Sequence, residues 1–270
     1  MADELTAPPR KPGLREGFAI QRRVLGAMFM REVLTRFGRH NIGFLWIFVE
    51  PMLFTLGVTT LWYFAGANHH SSLPIVAFAL TGYSSVLLWR NMPGRCVGAV
   101  EPNQSLLFHR QVKVMDVFAA RIMLEFAGAT MSFVILGTIY TAMGWIDPPE
   151  DVLKVVFAWL MLSWYGGAMA LVIGTWAFFS ETVEKLWHPL SYIVFPLSGS
   201  AFLVNSLPPE GQQVVLYLPM VHGIELLREG YFGSKVHSIY DMQYMFLVTL
   251  GMTLVGLILL SRVSREVVPT

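Results

Sequence analysis

Hydrophobic residues along this chain form six long uncharged runs separated by short polar segments. The runs are 17 to 26 residues long and cover 51–68, 73–89, 126–146, 155–180, 186–204 and 242–260. About 20 apolar residues, rising ~1.5 Å each, cross the ~30 Å hydrocarbon core of a bilayer as a helix. The runs are continuously apolar rather than alternating, which favours helices over barrel strands. The pattern predicts an all-α membrane protein with six transmembrane helices.

The placement of basic residues predicts the orientation of these spans. If residue 1 is cytoplasmic, sixteen of the nineteen Lys and Arg residues fall on the cytoplasmic side. Only Lys154, Arg228 and Lys235 fall outside. Because loops rich in Lys and Arg stay in the cytoplasm, we expect both termini there.

The segments outside the runs complete the predicted domain, 18–265. Residues 1–17, rich in Pro and Gly, predict a flexible cytoplasmic tail, and residues 18–40 predict a basic amphipathic helix at the inner interface. The spans are expected at about 42–66, 73–89, 121–146, 153–180, 186–204 and 242–260.

Residues 205–241 interrupt the series of spans. Their longest uncharged apolar stretch, 214–221, has eight residues and is too short to cross a bilayer. Pro219 can begin a short helix and Gly230 can end it. We therefore predict two short re-entrant helices on the outer side between spans five and six.

Composition and motifs exclude several functions. The chain has 270 residues, of which 54% are hydrophobic and 14% charged, against about a quarter charged in soluble domains. It has no G-x-x-x-x-G-K-[ST] phosphate loop and no H-E-x-x-H or C-x-x-C motif. The adjacent His69 and His70 lack nearby carboxylates, so we expect no metal site. A membrane-embedded lipid or sugar transferase stays an alternative, with Glu50 and His188 as its only candidate catalytic groups.

Charged residues at membrane depth are the main candidates for function. Glu50 falls within the first predicted span, where a carboxylate is costly and should face protein, water or a basic partner. It is either a helix-packing group beside Pro51 or a pathway residue. Arg121 and Glu125 are four residues apart on one helix face and can pair.

Three segments in order resemble one family. They are MREVLTRFGRHNIGFLWIFVEPM at 30–52, LLFHRQVKVMDVFAAR at 106–121, and 197–233, which ends LPMVHGIELLREGYFG. Together they resemble the ABC-2 type permeases that export polysaccharide, most of all the capsular-polysaccharide (KpsM type) branch, with O-antigen and teichoic-acid permeases as relatives. The resemblance covers roughly residues 18–265.

The resemblance implies a bacterial inner-membrane exporter of lipid-linked acidic polysaccharide. It implies a homodimer, two separate ATP-binding subunits that hold ATP and Mg, and periplasmic and outer-membrane export proteins. This chain would contact membrane phospholipids, bind no cofactor and no nucleic acid, and catalyse no reaction. An O-antigen or teichoic-acid exporter is the alternative within the family.

The resemblance also assigns candidate residues to three places. We expect substrate uptake at the inner leaflet, where arginines attract the anionic end of the glycan and aromatic rings stack on sugars. These residues are Arg31, Arg36, Arg39, Glu50, Trp46 and Trp62. We expect a coupling helix that seats in the ATPase, with Pro102, Leu106, Leu107, Phe108, Arg110 and Lys113. Glu225 and Arg228 belong to the outer re-entrant segment that shapes the exit.

Overall fold

The structure, a computed structural model, describes residues 13–37, 45–64, 73–108 and 111–267. Regular structure in this part of the chain is helical throughout, so the all-α prediction is confirmed for it. The helices are α1 (Leu14–Phe37), α2 (Trp46–Phe64), α3 (Ile75–Cys96), α4 (Gln104–Leu107), α5 (Val114–Ala142), α6 (Val152–Phe179), α7 (Glu181–Val194), α8 (Pro209–Val215), α9 (Pro219–Phe232) and α10 (Met242–Val267). Of these, α5, α6 and α10 are long and apolar enough to cross a membrane, and α2 contains a shorter apolar helix, Met52–Phe64.

Several helices begin or end away from the predicted boundaries. Helix α1 begins at Leu14, inside the segment predicted to be a flexible tail. Helix α7 ends at Val194 and a 3₁₀ turn, Phe195–Ser198, follows it. The helical run therefore stops short of the predicted end at residue 204, because Pro196 cannot donate a helix hydrogen bond and Gly199 adopts a positive φ of 84°.

Helix α6 lies at the centre of the bundle, against α3, α9 and α10. Small residues allow the close approach: a Cβ at Gly166 would lie 2.9 Å from the Cα of Trp89 and 3.1 Å from the carbonyl oxygen of Leu88. Without a hydrophobic driving force between helices in lipid, such close packing supplies much of their association. The contact between α3 and α6 therefore depends on the absence of a side chain at Gly166.

Helix α9 is almost wholly buried between α6, α10 and α3. It begins at Pro219 as predicted, but it continues through Gly230 and ends at Phe232, with Gly233 at a φ of 57°. The predicted end at Gly230 is wrong. Gly230 is needed there for packing, since a Cβ would lie 2.8 Å from the Cβ of Lys154 on α6.

Helices α1 and α9 mark opposite ends of the bundle. Helix α1 packs along the first half of α5 and buries Met28 and Val33. Helix α9 packs along the first half of α6, and the backbone N–H of Asp151 donates to the carbonyl of Gly230 at 2.8 Å. We call these regions the α1 end and the α9 end.

The close packing at Gly166 leads to a prediction with a neighbouring control. Gly166→Ala places a methyl group against the α3 backbone, and we expect about 1–3 kcal/mol of destabilisation from overpacking. Gly167→Ala meets only Ile122 Cγ2 at an ordinary 3.6 Å, so stability should be unchanged or slightly increased. Thermal unfolding of the purified protein in detergent measures both. Equal stability of the two variants would contradict the packing argument.

Candidate functional site

Four charged side chains from four helices meet at the α1 end. The Nη2 atom of Arg36 on α1 is 2.8 Å from Oε2 of Glu50 on α2, and Arg36 also pairs with Glu125 of α5. Arg95 of α3 lies with its Nη2 3.4 Å from Glu50 Oε1 and its Nε 3.1 Å from Glu125 Oε1. We call Arg36, Glu50, Arg95 and Glu125 the ion cluster.

The ion cluster compensates its own charge. Two guanidinium groups face two carboxylates, and the Glu125 side chain is only 7% exposed. Because an unpaired charge at such a position would carry a large desolvation cost, the pairs stabilise the arrangement in which the four helices meet here. The partners of Glu50 are thus two arginines, Arg36 of α1 and Arg95 of α3.

A second set of polar contacts continues from the cluster along α1. Arg121 donates from Nε to Glu32 Oε1 at 3.2 Å and from Nη1 to the Arg95 carbonyl at 2.6 Å. The predicted Arg121–Glu125 pair is therefore replaced by pairs to other helices, because α1 brings Glu32 and Arg36 onto that face of α5.

Helix α1 is also attached to the segment between α3 and α5. Arg31 donates to the side-chain oxygen of Asn103, and Gln21 donates to Asp116. Asn103 is buried and donates in turn to the Ala99 carbonyl at 2.8 Å. Arg31, predicted for substrate uptake, thus contacts the segment predicted to contact the ATPase.

A pocket of ≈ 340 Å³ lies beside the ion cluster, between α2, α3, α5 and α7. Its lining combines the four cluster residues with Phe54, Tyr83, Leu87, Arg90, Asn91, Gly94, Leu124, Trp187, His188, Ser191 and Tyr192. The Arg90 guanidinium carbon lies 4.0 Å from the centre of the Tyr192 ring, and its Nε lies 3.4 Å from Ser191 Oγ. We call this cavity the α7 pocket. It combines positive charge, aromatic faces and neutral polar groups in one cavity.

Among the described residues predicted for substrate uptake, Arg36 and Glu50 line the α7 pocket, and Arg31, Trp46 and Trp62 do not. Trp46 is exposed elsewhere on α2, and the Trp62 ring packs 6.2 Å from that of Phe78. Arg39 lies outside the described residues.

The sequence did not predict that Arg90 and the α7 side chains form one pocket; of the α7 residues only His188 was a candidate, for a transferase, and it lines the pocket together with Glu50. One signal was present: Trp187 and Ser191, like His188 and Tyr192, are four residues apart and so share a face of α7. That spacing identifies a polar and aromatic face, but it cannot show which helix the face meets.

The predicted coupling segment is shorter than a continuous helix over 102–113. A 3₁₀ turn, Glu101–Asn103, leads into the one-turn helix α4, Gln104–Leu107. Leu107 is buried and Leu106 partly buried, so these two residues anchor the segment to the core.

The remaining predicted coupling residues that the structure describes are exposed. Pro102 and Lys113 are exposed, and Phe108 is 77% exposed. Arg110 lies outside the described residues. The anchored turn thus presents a proline and, directly after it, an aromatic ring, and Lys113 lies exposed at the start of α5.

Arg228, at the α9 end, acts as a buried cross-link. Its guanidinium donates to the carbonyls of Gly199 at 2.6 Å, Phe202 at 2.5 Å and Ser200, and it stacks 3.8 Å from the Phe78 ring. It therefore attaches the turn after α7 to both α9 and α3.

Glu225 and His222 of α9 each form hydrogen bonds with the backbone of segments before and after α9. Glu225 accepts hydrogen bonds from the backbone N–H groups of Val204 at 3.1 Å and Ile239 at 3.2 Å. Burial raises the pKa of Glu225, while these hydrogen bonds and nearby Arg228 act in the opposite direction. His222 Nδ1 accepts from the Asp241 N–H at 2.8 Å, which leaves the Nε2 proton to bond the Leu216 carbonyl at 2.9 Å. In this structure Glu225 and Arg228 fix the connections that surround α9.

Residues 23–232 match the sequence profile of the ABC-2 type transporters, most of the chain's length. The chain belongs to the ABC-2 type transporter family. It is 45% identical over 96% of its length to the capsule polysaccharide export inner-membrane protein CtrC of Neisseria meningitidis serogroup B, covering 98% of that protein. It is 39% identical over 94% of its length to BexB of Haemophilus influenzae, a protein of the same description, covering 96% of it.

A more distant relative is the polysialic acid transport protein KpsM of Escherichia coli, 30% identical over 91% of this chain and 95% of KpsM. The predicted resemblance to ABC-2 permeases is confirmed. So is the prediction of a transporter subunit rather than an enzyme, since these relatives are export and transport proteins.

The ion cluster of this ABC-2 transporter predicts a large stability effect at Glu125. Glu125→Gln removes a buried carboxylate that faces two arginines; because both arginines keep Glu50 as a partner, we expect a loss of about 1–3 kcal/mol. The control is Glu181→Gln, which removes an exposed pair with Lys185 and should change stability by less than about 0.5 kcal/mol. Denaturant unfolding of the purified protein distinguishes them. Equal, small effects would show that the cluster does not hold the helices together.

Proposed function

We propose that this chain is the transmembrane permease subunit of an ATP-driven exporter that moves lipid-linked capsular polysaccharide across the bacterial inner membrane. The observation that carries the proposal is similarity along nearly the whole chain, 96% of its length, to a capsule polysaccharide export inner-membrane protein. A match of this extent is not confined to one part of the chain.

The proposed topology has six spans with both termini in the cytoplasm. The three long apolar helices account for three spans, and α2, α3 and α7 with its following 3₁₀ turn account for the others. The α1 end then faces the cytoplasm with α1 at the interface. The α9 end faces outward, where α8 and α9 form the re-entrant segment. The excess of Lys and Arg at the α1 end supports this orientation.

The proposed assembly contains two copies of this chain and two ATP-binding subunits, which hold ATP and Mg and hydrolyse the nucleotide. The sequence has no phosphate loop of its own, which supports a separate ATPase. Export to the cell surface would continue through periplasmic and outer-membrane proteins. The chain itself is proposed to bind no cofactor.

The polar contacts of α1 suggest how ATPase movement reaches the substrate path. A displacement of the segment around Asn103 is passed to α1 through Arg31, and Arg36 carries it to the ion cluster. The cluster borders the α7 pocket, which we propose as the place of glycan uptake. An acidic polymer needs such a hydrated, polar route because each charge in hydrocarbon costs several kcal/mol.

Removal of the protein tests the proposed function. In cells depleted of it we expect lipid-linked polysaccharide to accumulate in the cytoplasm while surface polysaccharide disappears. The chemistry of the accumulated glycan separates capsule from O-antigen or teichoic acid. Unchanged surface polysaccharide contradicts the proposal, and failure to synthesise the polymer at all favours a transferase.

The exposed ring of Phe108 gives a second prediction. Aromatic residues at the centre of an interface often contribute ~2 kcal/mol or more to binding, so Phe108→Ala should reduce co-purification of the ATPase by more than about tenfold. The matched control is Phe18→Ala, since Phe18 of α1 is 73% exposed. Both variants should unfold like the unmodified protein. Normal ATPase binding by the Phe108 variant would place the contact elsewhere.

A further inference from the structure

Arg90 differs from the other two arginines of the α7 pocket. Arg36 and Arg95 each pair with Glu50 and Glu125, which cancels their charge. Among the residues that the structure describes, Arg90 has no ion pair with a carboxylate; its contacts are Ser191 Oγ and the Tyr192 ring. The uncompensated positive charge of the pocket is therefore that of Arg90.

The surroundings of Arg90 suit a sugar better than a simple ion. Tyr83, Trp187 and Tyr192 supply aromatic surface in the same pocket. Asn91 and His188 supply polar groups that can exchange hydrogen bonds with hydroxyls. A volume of ≈ 340 Å³ also falls within the usual range of small-ligand sites, ~300–1,000 Å³.

The contacts of Arg90 leave part of its donor capacity unused. Its Cζ lies 4.0 Å from the centre of the Tyr192 ring and its Nε–H faces Ser191 Oγ, so among the described residues neither contact takes up the fork of N–H groups on Nη1 and Nη2. A carboxylate or phosphate accepts two parallel hydrogen bonds from such a fork. A neutral hydroxyl can also accept from this fork, but through a single oxygen and without a charge that opposes the guanidinium, so its hydrogen bonds are weaker.

We propose that Arg90 and Tyr192 form a binding subsite for an anionic sugar unit, in which Arg90 holds the oxyanion and the aromatic rings pack against the sugar. This inference rests on the proposed function and adds that the exported glycan carries its charge into the α7 pocket. The oxyanion belongs either to an acidic sugar of the glycan or to a phosphate that joins glycan and lipid.

Binding of defined probes to the full-length protein in nanodiscs tests the subsite. The probes are trigalacturonic acid, neutral maltotriose and glucose 1-phosphate, and titration calorimetry measures each affinity. We expect the unmodified protein to prefer an acidic probe to maltotriose. Arg90→Met and Tyr192→Leu should each weaken that binding by about tenfold or more. Preference for glucose 1-phosphate over trigalacturonic acid assigns the oxyanion to the lipid linkage, and the reverse assigns it to the polymer.

Matched variants separate the subsite from general effects. Arg22→Met on α1 and Tyr217→Leu after α8 change exposed residues of the same types and should leave affinity unchanged. Arg90→Lys keeps the charge without the planar fork, and an intermediate affinity is expected. If Arg90→Met fails to fold, the affinities of Arg90→Lys and Tyr192→Leu for the acidic probe test the subsite instead.

Three results would overturn the inference: no preference of the unmodified protein for an acidic probe, unchanged affinity in the Arg90 and Tyr192 variants, or dissociation of the dimer by Arg90→Met. The last result would mean that Arg90 pairs with a second copy of the chain. Export in cells keeps the two proposals separate. Normal surface polysaccharide with Arg90→Met rejects the subsite alone, whereas normal surface polysaccharide without the whole chain rejects the proposed function.

Discussion

The need to compensate charge where helices meet at the α1 end constrains the rest of this structure. Glu125 is almost fully buried and requires a basic partner to offset its desolvation cost, and the half-exposed Glu50 shares the same two arginines. Arg36 and Arg95 provide these partners, so α1 must lie against α5 in the register that brings Arg36 to Glu125. The same requirement places α1 beside the segment around Asn103 and fixes one border of the α7 pocket. A change in the position of α1 would therefore alter all three together.

The α9 end is held together differently, by close packing and backbone hydrogen bonds. Arg228 is wholly buried and bonds three carbonyl groups of one turn, and Glu225 holds two further backbone segments. Glycines bring α9 and α3 within direct backbone contact of α6. This contrast suits a transporter. The paired side chains of the α1 end can exchange partners during a movement, whereas the closely packed α9 end behaves as one body. We therefore expect the α9 end to stay fixed while the α1 end changes with the ATPase.

The sequence predicted those features that depend on local pattern. The apolar runs of α5, α6 and α10, the start of α9 at Pro219 and the family resemblance could all be found from the chain alone. The α7 pocket could not, because its residues come from distant parts of the chain: Arg36 and Glu125 are 89 positions apart, and Arg90 and Ser191 are 101 apart. A local pattern shows that a charge needs a partner but not which helix provides it. Gly230 shows the same limit. Glycine often ends a helix, but here α9 continues through Gly230, and the absence of a side chain allows α9 to pack against α6.

We propose that polysaccharide enters this transporter through the α7 pocket. Photo-crosslinking in cells tests it most directly, with p-benzoylphenylalanine in place of Tyr192 in the pocket or of Trp176, an exposed aromatic residue of α6 outside the pocket. In cells that make the polysaccharide, we predict glycan attached to the protein labelled at position 192 and none at 176. The attached glycan should increase when ATP hydrolysis by the partner subunit is blocked. Equal labelling at both positions, or labelling at 176 alone, would contradict the account.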